Sequence, residues 1–242
     1  MDTVKINKNN VKMVAHRGLS GIEKENTCPA FVAAANRSYF GIETDIHVTK
    51  DKKFVVIHDE TTQRVDDDKT CINVEENDYS ALSDVILPDK DGSRCRGDIR
   101  IPLLAEYISI CKKYNKISVL EIKNHFEIED LERLVAEIDA LEYFESLIFI
   151  SFDFENCVNM RKLRPDACIQ YLVSREVTSE LVDILAENKL DIDIHHKFLK
   201  REYAELLHSK GIKINCWTCD SADDAERLVS YGVDFITTNI LE

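Results

Sequence analysis

Short apolar runs alternate with helix-spaced apolar stripes along nearly the whole chain, and no other feature constrains the fold as much. The runs Val11–His16, Gly41–Ile46, Ser118–Ile122, Leu147–Ser151, Cys168–Leu172, Asp191–Ile194, Ile212–Cys216 and Asp234–Thr237 read as buried strands. Between them, apolar residues recur at about every third or fourth position. Leu103, Leu104, Tyr107, Ile108 and Cys111 form one such stripe, and Ile128, Leu131, Leu134, Val135, Ile138 and Leu141 another. Shorter stripes follow at Leu181–Leu185, Tyr203–Leu207 and Ala222–Val229. Thr27 is placed to cap a helix that carries Pro29 in its first turn. Strand–helix alternation predicts a parallel sheet, and eight units predict an α/β fold closed as a (β/α)8 TIM barrel. The 242 residues lie close to the ~250 typical of that barrel. An open doubly wound sheet is the alternative. It usually carries a glycine-rich loop after its first strand, whereas that turn here is His16-Arg17-Gly18.

One run stands outside the repeat. Only Val48–Lys53 separates Phe54–His58 from the second strand, too short for a parallel crossover, so the two are predicted to pair as a hairpin. That pairing would bring His58 near Glu43 and Asp45. Residues 61–100 then form a polar excursion with weak periodicity, including the acidic run Asp66-Asp67-Asp68. The expected organisation is a single catalytic barrel domain over 1–242, with 61–100 inserted as a loop or small subdomain over its mouth.

A net charge of −14 argues against nucleic acid and against stable association with an anionic membrane, since both need a basic footprint. No apolar run reaches the ~18 residues of a membrane span, and the first residues lack a signal-peptide core. The eight cysteines are scattered through a chain able to build its own core, which predicts reduced thiols and a cytoplasmic location. Cys216-Trp217-Thr218-Cys219 has CxxC spacing, but the chain is too long and repetitive for a small redox fold, and no second CxxC completes a zinc site.

Polar clusters sit at the ends of the strand-like runs: His16-Arg17-Gly18, Glu43-Thr44-Asp45, His58-Asp59 and Glu121-Ile122-Lys123. Strand ends that lead into helices are where a (β/α) barrel keeps its chemistry. Glu43 and Asp45 are two residues apart on a strand and so share a face. With Glu121 from the next barrel strand they supply three oxygen donors, a set suited to one divalent cation, Mg²⁺ or Ca²⁺. Any one of these acids alone would read as an unrelated surface charge. His16 and His58 each follow an apolar run, where a lone histidine is more often structural. Two that converge on one face suit acid–base work near neutral pH. Arg17 and Lys123 offer positive charge to a phosphate, and Gly18 allows close backbone approach. Trp217, at a strand end, is expected to wall the substrate pocket. His195-His196 could also reach the mouth, but neighbours on a strand face opposite ways, so at most one would line it.

These motifs in order resemble the glycerophosphodiester phosphodiesterase family. His16-Arg17-Gly18 is followed by Glu25-Asn26-Thr27, Gly41-x-Glu43-x-Asp45, Thr49-Lys50-Asp51 and His58-Asp59. Glu121-x-Lys123, Ser151-Phe152, Trp217-Thr218 and Gly232-Val233-Asp234 continue the likeness. The resemblance implies a (β/α)8 barrel with an insertion after the hairpin, and metal-dependent hydrolysis of glycerophosphodiesters to glycerol 3-phosphate and an alcohol. It implies that Glu43, Asp45 and Glu121 bind the cation, that His16 and His58 are the acid–base pair, and that Arg17 and Lys123 take the phosphate. Two positions depart from the family pattern: Lys24, where proline is usual, and Asn239, where aspartate is common. Both are expected to lie outside the reaction centre. The rivals are a lipid-active barrel phospholipase, which needs an apolar or basic rim that this acidic chain lacks, and a non-catalytic phosphate-binding barrel, which needs no acid–base pair.

Overall fold

The computed structural model describes residues 2–242. Its parallel strands are β1 (Lys12–Ala15), β2 (Gly41–Val48), β4 (Ile117–Ile122), β5 (Leu147–Ser151), β6 (Cys168–Val173), β7 (Asp191–His195), β8 (Ile214–Trp217) and β9 (Phe235–Thr238). They pair in the order β1-β9-β8-β7-β6-β5-β4-β2, and β1 also pairs with β2 through Val14↔Gly41. That last pairing closes the ring and excludes the open sheet. The hairpin strand β3 (Phe54–Val56) runs antiparallel to β2 outside the ring, with Ile46 opposite Val56.

Alternation along the strands sorts the side chains. Val14, Val119, Ile148, Ile150, Leu172 and Phe235 pack together inside the barrel. The other face meets the helices α1 (Cys28–Ala35), α3 (Leu104–Tyr114), α4 (Ile128–Ala140), α5 (Phe154–Leu163), α6 (Ser179–Glu187), α7 (Arg201–Ser209) and α8 (Ala222–Tyr231). Helix α1 starts where expected, with Thr27 Oγ1 accepting from the Ala30 amide. In α4 the stripe Leu131, Leu134 and Ile138 is buried, whereas Ile128, in the first turn, is 39% exposed.

The excursion after β3 has a small core of its own, which weak periodicity had concealed. Val55, Ile57, Val65, Val74, Leu82, Val85, Leu87, Ile99 and Ile101 cluster there around the short helix α2 (Tyr79–Ser83). Long cations tie it to the β1–α1 loop. Lys90 Nζ donates to the Ser20 carbonyl at 2.7 Å, and Arg96 pairs with Glu23 at 2.9 Å. Among the described residues, no helix is long and apolar enough to cross a membrane.

Candidate active site

Period-two alternation on β2 turns Gly41, Glu43 and Asp45 into the barrel, and the parallel register sets Asp45 beside Glu121 of β4. The carboxylates of Glu43, Asp45 and Glu121 each offer an oxygen within 4.8 Å of the others, and all three are buried. Glu43 Oε2 accepts from the Arg17 amide at 2.7 Å. Asp45 Oδ2 accepts from Asn26 Nδ2 at 2.7 Å, while buried Oδ1 has no hydrogen-bond partner among the described residues. Lys123 Nζ donates to Glu121 Oε1 at 2.7 Å and lies 3.6 Å from Asp45 Oδ1.

So much negative charge in a dry site is divided unequally. Burial, then the neighbouring Asp45, push the Glu43 carboxyl well above its usual range. Burial and Asp45 likewise lift Glu121 to about 7. Burial raises Asp45 too, but Arg17 and Lys123 outweigh it and hold that group low. A divalent cation would relieve this crowding. The donor set is hard oxygen only, and the unpartnered Asp45 Oδ1 supplies a free lone pair, so the residues fit such an ion.

The two histidines face the same cavity as Glu43 and Glu121. His16 follows β1, and its Nδ1 lies 2.8 Å from Asn239 Oδ1. The Asn239 amide nitrogen donates to Asp220 Oδ2 at 2.6 Å, so its oxygen must face His16, and Nδ1 must carry the imidazole proton. Nε2 is then left as an acceptor. Burial, with the Arg17 charge, lowers His16 to about 4, which keeps it neutral at neutral pH. His58 sits just past β3, where the hairpin pairing delivers it: the Ile57 amide donates to the Asp45 carbonyl at 3.1 Å. Its Nδ1 donates to Asp59 Oδ1 at 2.5 Å, which leaves Nε2 free as well. Burial lowers His58 against the opposing pull of Asp45.

Arg17 adopts a left-handed φ of 53° followed by Gly18 at 73°, and the turn aims its amide at Glu43. Its guanidinium pairs with Glu25 at 2.9 Å and lies 3.5 Å from Asp45. Arg64, from the excursion, meets Glu25 at 2.8 Å and Asp59 at 2.6 Å. One guanidinium therefore bridges the carboxylate that holds Arg17 and the carboxylate that holds His58. Trp217 and Phe152 form an aromatic wall, edge to face at 5.5 Å. His195 packs edge-on against Trp217 at 5.1 Å. The His196 ring stacks on His195 at 5.1 Å with its Nδ1 3.9 Å from Asp224, so the two rings lie side by side and do not face opposite ways. None of the eight cysteines forms a disulfide, and Cys216 and Cys219 are buried thiols.

The family model described as "Glycerophosphoryl diester phosphodiesterase family" matches residues 16–242. The chain belongs to this family. It is a glycerophosphodiester phosphodiesterase, a hydrolase. A glycerophosphodiester phosphodiesterase of Caldanaerobacter subterraneus subsp. tengcongensis is 29% identical over 232 residues, covering 94% of this chain and 93% of that one. The crystal structure of a glycerophosphodiester phosphodiesterase from Parabacteroides distasonis superposes with a TM-score of 0.81 at 27% identity, over 96% and 94% of the two chains. An Oleispira antarctica phosphodiesterase, solved in complex with the product sn-glycerol-3-phosphate, shares the fold with a TM-score of 0.83 at 22% identity, over 94% and 92%.

In this phosphodiesterase the residues singled out by sequence converge: His16, Arg17, Glu43, His58, Glu121 and Trp217 line one cavity, with Asp45 and Lys123 against it. A further expectation needs correcting. Asn239 is not remote from the candidate site but hydrogen-bonded to His16, because β9 neighbours β1 in the closed ring. Sequence reading also missed Arg64 and Asp193. Arg64 sits in a stretch without periodicity. Asp193 alternates with Ile192 and Ile194, a strand pattern that would have placed it on the inner face.

Proposed function

We propose that this phosphodiesterase hydrolyses glycerophosphodiesters to glycerol 3-phosphate and an alcohol, with one divalent cation at Glu43, Asp45 and Glu121 and with His16 and His58 as base and acid. One observation carries the reading. Two imidazoles, each with Nδ1 tied to an acceptor and Nε2 free, open onto the cavity that holds three convergent carboxylates. The donor chemistry favours Mg²⁺ or Ca²⁺. When bound, the cation supplies charge neutralisation for the phosphoryl oxygens and lowers the pKa of the attacking hydroxyl.

The protein groups divide the remaining work. His16 has a neutral partner in Asn239 and rests unprotonated, so Nε2 takes the proton of the attacking water or glycerol hydroxyl. His58 has an anionic partner in Asp59; once Nε2 has taken a proton from solvent, that partner stabilises the imidazolium, and Nε2 delivers the proton to the leaving alkoxide. The forked guanidinium of Arg17 and the Lys123 ammonium take phosphate oxygens, and their ion pairs to Glu25 and Glu121 hold them in place beforehand. Trp217 covers the apolar side of the site. The acidic chain and the absence of a membrane-crossing helix among the described residues support a small, water-borne diester as substrate and a cytoplasmic setting.

The test is release of glycerol 3-phosphate from glycerophosphocholine and glycerophosphoethanolamine with Mg²⁺, Ca²⁺ or chelator. Native protein should require metal, and His16→Ala and His58→Ala should each lose roughly 10²–10⁴-fold in kcat. Turnover that survives chelation, or that survives both substitutions, contradicts the assignment.

A further inference from the structure

Asp193 is the one charged side chain lining the reaction cavity that has no task in the mechanism above. It sits mid-strand on β7, four strands from β2 in either direction around the ring, so it faces Glu43 across the barrel. Only 1% of the residue is exposed, and its Oδ1 has no hydrogen-bond partner among the described residues. The basic groups nearest the reaction centre are engaged elsewhere, Arg17 with Glu25 and Lys123 with Glu121. Nor is Asp193 part of the three-carboxylate cluster that could share an ion. Beside it on the inner wall stand Ile150, Leu172 and the Trp217 ring, whose Nε1 donates to the Asp193 carbonyl at 3.2 Å, and its register partner Asn215, whose amide is engaged with Gln170 and Thr237. Burial, then the Glu121 charge, push this carboxyl well above its usual range, so it can donate as well as accept. A buried polar group left unpaired is costly, and such groups persist where a ligand completes them.

The missing partner is a small group that can hydrogen-bond a buried carboxyl on the enclosed side of the cavity. The phosphate is taken by Arg17 and Lys123 in the reading above, and a quaternary ammonium neither donates nor accepts a hydrogen bond. An alcohol hydroxyl meets the requirement. The exposed rim, marked by Phe152 at 44%, is left for the variable alcohol. We infer that Asp193 accepts a hydrogen bond from a hydroxyl of the substrate's glycerol and so selects glycerol-bearing diesters. This rests on the phosphodiesterase reading above. It adds that the constant half of the substrate points across the barrel floor towards β7.

Asp193→Asn and Asp193→Ala are compared with the native protein at saturating metal, by calorimetric binding of glycerol 3-phosphate and of inorganic phosphate. Turnover of glycerophosphocholine and of bis(p-nitrophenyl) phosphate, which has no glycerol, is measured in parallel. Glycerol 3-phosphate affinity should fall by roughly 5- to 100-fold in Asp193→Ala, the cost of leaving the buried hydroxyl unpaired, with phosphate unchanged. Glycerophosphocholine kcat/KM should fall with it, while the nitrophenyl diester keeps its rate within about threefold. Both variants should melt close to the native temperature, because Asp193 Oδ1 has no hydrogen bond for the substitution to break. Equal losses on both ligands, no loss on either, or a lowered melting temperature in both variants would overturn the assignment. A native protein that cleaves the nitrophenyl diester but no glycerophosphodiester overturns the substrate reading itself, and this inference with it.

Discussion

At the scale of single residues, the site is built from side chains whose partners settle their protonation. His16 is neutral because it is buried beside the Arg17 guanidinium, which together outweigh the opposing pull of its hydrogen bond to the Asn239 oxygen, while the rest of the site keeps its acids in check with guanidinium and ammonium groups. Glu25 shows the same logic away from the carboxylate cluster. Burial raises its pKa, but hydrogen bonds and charge from Arg64 and Arg17 more than reverse this and bring it down to about 2. A carboxyl held low in the fold contributes stability that is complete above its unfolded value and is lost as the pH falls towards the folded one. The native protein should therefore exceed Glu25→Gln by about 2 kcal/mol at neutral pH, allowing for the exposure of Arg64. That margin should shrink below pH 4.5 and be gone near pH 2. Urea unfolding at a series of pH values measures it, and a margin that stays constant with pH would contradict the linkage.

At the scale of elements, the first β–α turn carries most of the demands. Arg17 and Gly18 take left-handed backbone in succession, and Gly18 lies against the first turn of α1. A Cβ at Gly18 would sit 2.7 Å from the Ala30 carbonyl carbon and Cβ, closer than atoms can pack. Gly211 has a similar φ, +76°, but open space around it. Gly211→Ala should cost only about 1–2 kcal/mol for its conformation. Gly18→Ala should cost more in chemical denaturation and should also lower kcat, because the same turn aims the Arg17 amide at Glu43. Equal costs for the two would show that the turn has room to shift. The hairpin is the second decisive element. Its length was readable because so few residues join β2 to β3 that only antiparallel pairing is possible.

At the scale of the whole molecule, barrel closure concentrates carboxylates that the fold alone leaves in mutual repulsion. A divalent cation that binds only the folded state stabilises it in proportion to occupancy, by ~2.7 kcal/mol at a hundredfold excess over Kd. Mg²⁺ or Ca²⁺ should accordingly raise the melting temperature of the native protein and not that of Glu43→Gln. Without metal, Glu43→Gln should be at least as stable as the native chain, since one of three crowded carboxyls is gone. Thermal unfolding with and without metal tests both; a metal shift that persists in the variant would place the ion elsewhere.

Much of this was legible from the order of residues, and the boundary is a physical one. Strand and helix periodicities are local, so the eight-unit alternation, the cap at Thr27, the shared face of Glu43 and Asp45 and the hairpin that carries His58 follow from neighbours in sequence. The core of the 61–100 excursion was not legible, because its apolar residues are spread from Val55 to Ile101 without a period and meet only after folding. Nor was the place of Asn239, whose contact with His16 spans 223 positions and exists because β9 closes the ring on β1. The solitude of Asp193 is of the same kind. Alternation alone assigns it to the inner face, but whether a partner meets it there depends on which strands stand opposite, and closure and register decide that.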